Sequence, residues 1–338
     1  MTEPQNLQGY RSESLSLMEN CYETLPIIDL GKPGAEDGMQ SVANDFSSAY
    51  TRLGFGAVIN HGIDSEITKA VFDASRRFHA LPLAEKMKVA LDANHRGYIP
   101  VNTSTDVNST LAEVTRPNQS ESFMMMREDA AYSKPVLNNA YLAGANQWPE
   151  LSGFQIALNN YHDAVAKLSH RLVRIACQSI GVSVQHLLPA FECPTSWLRL
   201  LHYPSQRADA PDDLFGSAPH TDFGAITIVA QDSVAGLQVL TPAGQWLDVP
   251  VIENAFIVNV GDMLHRWSNG ILKSTPHRVI NRTGKERYSC AFFYDPYVDT
   301  VVKPLSECIT TDRPVQFEPV HYGDFLRAEL QAAYQQHK

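Results

Sequence analysis

Apolar residues recur along this chain in two rhythms, and the change between them divides it. Phe154, Leu158, Tyr161, Val165, Leu168, Leu172 and Ile175 follow one another in steps of four and three. On a helix those steps make a single apolar stripe, so a helix is predicted over Leu151–Ile180, closed by Gly181. A coiled-coil seam has the same spacing, but a run this short in so mixed a chain fits a helix laid on a sheet. Val42, Phe46, Tyr50 and Leu53 predict a second helix over Met39–Leu53. Another is expected over Ser65–Ala80 with Asp64 or Ser65 as its cap, and a last one over Tyr322–Gln335. LPIIDL (Leu25–Leu30) and AVIN (Ala57–Asn60), the latter after a Gly54-Phe55-Gly56 break, read as strands.

From Thr195 to Tyr294 the rhythm shortens. SWLRLLHY, AITIVAQ, GLQVL, QWLDV, AFIVNV, HRVIN and RYSCAFFY are brief, rich in β-branched and aromatic residues, and separated by turn residues. Such a series predicts a sandwich, jelly roll or barrel, and the lack of βαβ alternation argues against a Rossmann-type sheet. The stretch between His95 and Pro149, rich in Asn, Ser, Thr, Pro and Gly, is expected to form loops and short strands around an opening.

Composition narrows the function more than the fold. With 44% hydrophobic and 19% charged residues in 338, the chain can fill a large core, which excludes wholesale disorder. A formal net charge of −10, without a Lys/Arg run, makes nucleic acid and anionic membrane poor partners. The N-terminus lacks the pattern of a secretory signal, and no apolar run approaches a membrane span. Cys21, Cys177, Cys193, Cys290 and Cys308 are odd in number, widely spaced and free of any C-x-x-C pair. A disulfide framework or zinc ribbon is therefore not expected, and a cytoplasmic location is.

The candidate chemistry lies in the β-rich part. His220 and Asp222, with His277 from a distant segment, supply the two imidazoles and one carboxylate of a facial triad on non-haem Fe(II). On a strand, residues two apart share a face. H-x-D alone is weak evidence, since this composition yields roughly one by chance. Ten residues beyond His277, Arg287 and Ser289 are again two apart and offer a guanidinium and a hydroxyl to a carboxylate, with the Tyr203 phenol as a third donor.

APHTDFGAITIVAQDSVAGLQVL, VNVGDMLHRWSNGILKSTPHRVIN and RYSCAFFYDP together resemble the 2-oxoglutarate- and Fe(II)-dependent dioxygenase superfamily, in its isopenicillin N synthase-like branch. LPIIDL, GFGAVINHGI and FHALPLAEK are similar to that branch's N-terminal region, and LRLLHYP to fungal thymine hydroxylases. The resemblance implies a mainly β fold with α: a double-stranded β-helix, or jelly roll, flanked by helices. It implies an extension over 1–24, an N-terminal α+β region over 25–150, and a backing helix, catalytic core and C-terminal helix over 151–338.

It further implies His220, Asp222 and His277 as iron ligands, and Arg287, Ser289 and Tyr203 on the distal carboxylate of 2-oxoglutarate. O2 would be the second cosubstrate, succinate and CO2 the coproducts, and a small organic molecule the oxidised, usually hydroxylated, substrate. The filled carboxylate position at Asp222 disfavours halogenation. Plant members often carry Asn where Leu201 stands, so any contact made by that Asn is absent or replaced. Phe123, within the Glu121–Met126 segment, Phe292, Tyr294, and Trp267 beside His265 are expected to face substrate. Three alternatives stay open: a cupin-like metal-binding protein without turnover, an oxidase of the same fold that dispenses with 2-oxoglutarate, and a zinc hydrolase, which would leave Arg287 and Ser289 unexplained. Prime substrate and oligomeric state are not specified.

Overall fold

The computed structural model describes residues 24–31, 37–105, 114, 116–128 and 141–335; Cys21 and all but the last residue of the expected extension lie outside them. The helices are α1 (Asp37–Tyr50), α2 (Ser65–His79), α3 (Leu83–Lys86), α4 (Phe154–Ser179), α5 (Asp262–Trp267) and α6 (Tyr322–Gln335). Helix α2 starts where the sequence caps it, with the Asp64 carboxylate accepting from Glu66 N at 2.9 Å. In α4 all seven residues of the four-three stripe are buried. Helix α5 was not expected: six residues between two strands are too few to show a period.

The strands are β1 (Ile27–Asp29), β2 (Phe55–Ile59), β3 (Gly97–Ile99), β4 (Glu121–Met126), β5 (Thr195–Tyr203), β6 (Ser217–His220), β7 (Ile226–Gln231), β8 (Leu237–Leu240), β9 (Trp246–Asp248), β10 (Phe256–Val260), β11 (His277–Val279), β12 (Arg287–Asp295), β13 (Val301–Val302) and β14 (Val320–His321). They form an eight-stranded sheet in the order β1-β2-β10-β7-β12-β5-β4-β3, a four-stranded sheet β6-β11-β8-β9, and a β13–β14 pair. Except for the parallel β1–β2 pair, neighbours in the large sheet are antiparallel. This is the jelly-roll arrangement, with two sheets enclosing one core and helices backing the larger sheet.

Strand alternation assigns the faces. Phe256, Val258, Cys290, Phe292 and Tyr294 point toward α1, α2 and α4, while Ile257, Ala291, Leu201 and Tyr203 point into the space between the sheets with Leu237, Val239 and Val279. The expected break at Gly54-Phe55-Gly56 is confined to its first residue, and the other two open β2. Gly54 has φ of +70°, and a Cβ there would lie 2.2 Å from Lys273 O. Because β2 pairs with β10, the large sheet runs without interruption from the N-terminal region into the jelly roll.

A buried polar cluster sits on the helix side, where β4 meets β5. The Glu121 carboxylate accepts from Lys86 Nζ at 2.7 Å, from His202 Nδ1 at 2.8 Å and from the Tyr98 hydroxyl. Burial pushes the Glu121 pKa up, but these bonds outweigh it and hold the pKa at about 2. Lys86→Met leaves that carboxylate buried without its cation and is expected to cost about 3–5 kcal/mol, measured by urea unfolding. Beside it, burial pushes His79 down to about 3. Both groups bind protons less readily folded than unfolded, so acid favours the unfolded chain. Stability drops as pH falls from 6.5 toward about 3 for His79 and from 4.5 toward about 2 for Glu121. Compared with His79→Gln, the wild type should therefore lose more urea stability between about pH 7 and pH 5, a comparison in which the opposite contribution of Asp295, whose pKa burial raises to about 7, cancels.

Candidate metal centre

Strands β6 and β11 pair with His220 directly opposite His277. Asp222 lies two residues past the end of β6, in the turn before β7, so a loop rather than a strand brings it to the histidines. One ligand atom from each of His220, Asp222 and His277 falls within 4.8 Å of the others. Asp222 Oδ1 is 3.8 Å from His220 Nε2 and 3.7 Å from His277 Nε2.

The surroundings aim these atoms. His220 Nδ1–H donates to Ala218 O at 2.7 Å and His277 Nδ1–H to Thr275 O at 3.2 Å, which sets both tautomers and turns each Nε2 lone pair toward the carboxylate. Asn259, from β10, donates to Asp222 Oδ2 at 2.6 Å and leaves Oδ1 for the centre. Burial pushes the Asp222 pKa up, but His277, His220 and the hydrogen bonds from Asn259 and Thr227 bring it below the usual value and keep it ionised. The set fits a divalent metal: two imidazole Nε2 atoms and one carboxylate oxygen, preorganised with their second atoms occupied.

A second group of buried polar side chains lies farther along the same core. Arg287 and Tyr203 are cross-strand partners on β12 and β5, and the guanidinium lies 4.8 Å from the phenol ring centroid. Nε of Arg287 donates to Val234 O and Nη2 to Gln231 Oε1, both at 3.1 Å. Its Nη1 is buried with no hydrogen-bond partner among the described residues. A buried guanidinium N–H without an acceptor is costly, and an incoming carboxylate would satisfy it. The Ser289 and Tyr203 hydroxyls lie 3.5 Å apart beside it. Leu201, opposite Ser289, is buried in the apolar core.

A cavity of about 690 Å³, counted with its open mouth, reaches His220, Thr221 and Asp222 and is walled by Met124, Trp197, Arg199, Phe293 and Leu330 among others. Gly224 is required on its rim, since a Cβ there would lie 1.5 Å from Asp295 Oδ1. That carboxylate accepts from Ala225 N at 3.0 Å and from Trp197 Nε1 and Tyr322 OH at 2.8 Å each, while burial pushes its pKa up to about 7.

The four aromatic residues expected to face substrate do not line this cavity. Phe123 packs against Phe78 and Phe154 with centroids 5.0 Å away in each case, and Phe292 against His162 at 5.2 Å. Tyr294 stacks on Phe191 at 5.3 Å, and Trp267, on α5, sits 5.9 Å from the same ring. For the three on strands the reason is parity. Arg287 and Ser289 place odd positions of β12 on the inner face, so Phe293 meets the cavity while Phe292 and Tyr294 face the helices. On β4, Ser122 and Met124 take the inner face and Phe123 the outer. His265 is held by Leu272 O at 2.6 Å outside the cavity lining. Asn259, Arg199 and Asp295 were missed; a lone Asn inside the apolar FIVNV was the available signal for the first.

Residues 194–296 match the 2OG-Fe(II) oxygenase superfamily, and residues 25–151 match the N-terminal region described as non-haem dioxygenase in morphine synthesis. A 2-oxoglutarate-Fe(II) type oxidoreductase of Emericella nidulans is 36% identical over 320 residues, covering 91% of this chain and 90% of the relative. Homoarginine-6-hydroxylase of Oryza sativa is 31% identical over 91% of this chain and 97% of its own length. Among solved structures, the full-length thymine hydroxylase of Neurospora crassa in complex with alpha-KG and thymine superposes with a TM-score of 0.81 at 28% identity, covering 92% of this chain and 98% of that one. With the jelly roll, the paired histidines and carboxylate, and the buried arginine already in place, likeness over nine-tenths of the chain means that the protein belongs to the 2-oxoglutarate- and Fe(II)-dependent oxygenases.

Proposed function

We propose that this oxygenase, which uses Fe(II), 2-oxoglutarate and O2, hydroxylates a small organic molecule in the cavity beside Asp222. His220, Asp222 and His277 would hold Fe(II), and three protein ligands leave positions for the cosubstrate and O2. Bound there, the iron would activate O2, the oxidant for both the decarboxylation of 2-oxoglutarate to succinate and CO2 and the oxidation of the substrate. The rest falls to the chain. Arg287, with Ser289 and Tyr203, binds the distal carboxylate and so orients the ketoacid. Val234 O and Gln231 Oε1 fix the guanidinium, and Asn259 keeps Asp222 aimed.

The partnerless Nη1 of Arg287 carries this reading. It calls for an anion that neither a zinc hydrolase nor a cupin-like binder needs. Among the described residues no helix is long and apolar enough to cross a membrane. The proposed setting is the cytoplasm, where the described cysteines stay reduced.

Two measurements test the reading. Anaerobic addition of 2-oxoglutarate to the Fe(II)-loaded protein should produce a weak visible charge-transfer band, and under air succinate should accumulate with O2 uptake. Iron bound without a band, and no succinate with any compound in a broad panel, would favour the non-catalytic binder.

A further inference from the structure

Arg199 is the only arginine or lysine among the described residues lining the cavity. It is half-buried on β5, and its Nε donates to Ser122 Oγ at 2.9 Å. Nη1 and Nη2, the two ends of the fork, have no hydrogen bond or ion pair with any described residue. The carboxylates within reach of the cavity are committed elsewhere: Asp222 to Asn259 and the histidines, Asp295 to Ala225, Trp197 and Tyr322. The guanidinium thus faces a space whose apolar walls are Met124, Trp197, Phe293 and Leu330, with Asn118, Ser217 and the residues around Asp222 making up its polar side. The buried hydroxyl of Ser104, on the same wall, also has no partner among the described residues.

The cosubstrate does not account for this cation. Arg199 opposes Ala291, whereas Arg287 opposes Tyr203, so the two guanidinium-bearing positions are four residues apart along β5 and β12, about 13 Å of strand. The distal carboxylate of 2-oxoglutarate is assigned to Arg287 and its other end to the metal, which leaves Arg199 to the remaining ligand of the cavity.

We propose that Arg199 anchors a carboxylate of the prime substrate, and that the protein acts on a small carboxylic acid with an apolar or aromatic body. The inference rests on the Fe(II)/2-oxoglutarate reading above. The acid group is held, not oxidised: RH, 2-oxoglutarate and O2 give ROH, succinate and CO2, with one oxygen atom of O2 in ROH and the other in succinate. Since the chain has a formal net charge of −10, an anionic substrate is recognised against the overall field and depends on this local cation.

The test uses the full chain loaded anaerobically with Fe(II) and 2-oxoglutarate. Alkyl and aryl monocarboxylic acids of about six to ten carbons, sized to such a pocket, are compared with their primary amides and with thymine. Two signals are read: perturbation of the charge-transfer band, and succinate release after air is admitted. At least one acid should perturb the band and raise succinate release about tenfold over its amide. Arg199→Gln should erase that difference while the 2-oxoglutarate titration of the band stays in place. The proposal is overturned if amides or thymine do as well as the acids, if no acid has an effect, if Arg199→Gln retains the preference, or if Arg199→Gln loses 2-oxoglutarate binding itself. Absence of any band in the wild type would instead count against the parent reading.

Discussion

Asp222→Ala should purify folded and without stoichiometric iron, with succinate release reduced more than about a hundredfold. The scale follows from the neighbouring residue. Asn259 touches only the outer oxygen of Asp222, and removal of such a supporting partner typically costs about 10–100-fold in metal affinity or activity. Loss of the ligand atom itself, together with the charge that offsets a divalent cation, must cost more. Asn259→Ala should therefore fall between wild type and Asp222→Ala in iron retained after desalting. Thermal melting of the apo forms separates loss of the site from loss of the fold. Full iron occupancy in Asp222→Ala would remove this residue from the ligand set.

Arg287→Met is expected to raise the half-saturating concentration of 2-oxoglutarate about a hundredfold, in line with the loss of a buried charge-assisted pair. The Fe(II) requirement should barely move, because the guanidinium makes no contact with the three ligands. Arg287→Lys keeps the charge but not the fork that reaches Val234 O and Gln231 Oε1 together, so it should recover only part of the loss. Equal weakening of iron and cosubstrate by Arg287→Met would show a collapsed core rather than a missing anchor.

Periodicity made the large elements legible. The α4 stripe, the Asp64 cap and the full extent of Tyr322–Gln335 were readable because each depends on neighbours in sequence. The cluster of His220, Asp222 and His277 was readable as residue types at a spacing, although the expected reason, two side chains on one strand face, does not hold: His220 ends a strand, and Asp222 arrives by a turn. The substrate wall was not readable in the same way. A one-residue change of parity moves a side chain from the cavity to the helices, and Phe292, Phe293 and Tyr294 are indistinguishable by composition. Arg199 looked like an ordinary strand residue, because its missing partner is defined only once the surrounding walls have closed.

Leu330 and Ala333, on the last helix, line the cavity with Ser104, and Ala333 O accepts from Thr105 N at 3.3 Å. The helix contributes no rung to the ladders that carry the histidines and Arg287. Selection can therefore reshape the cavity wall through residues of this helix without disturbing the strands that carry His220, His277 and Arg287. The shape of the cavity and the paired strands become separately heritable, and a substitution at Leu330 or Ala333 would change what the cavity accepts before it changes the cluster of His220, Asp222 and His277.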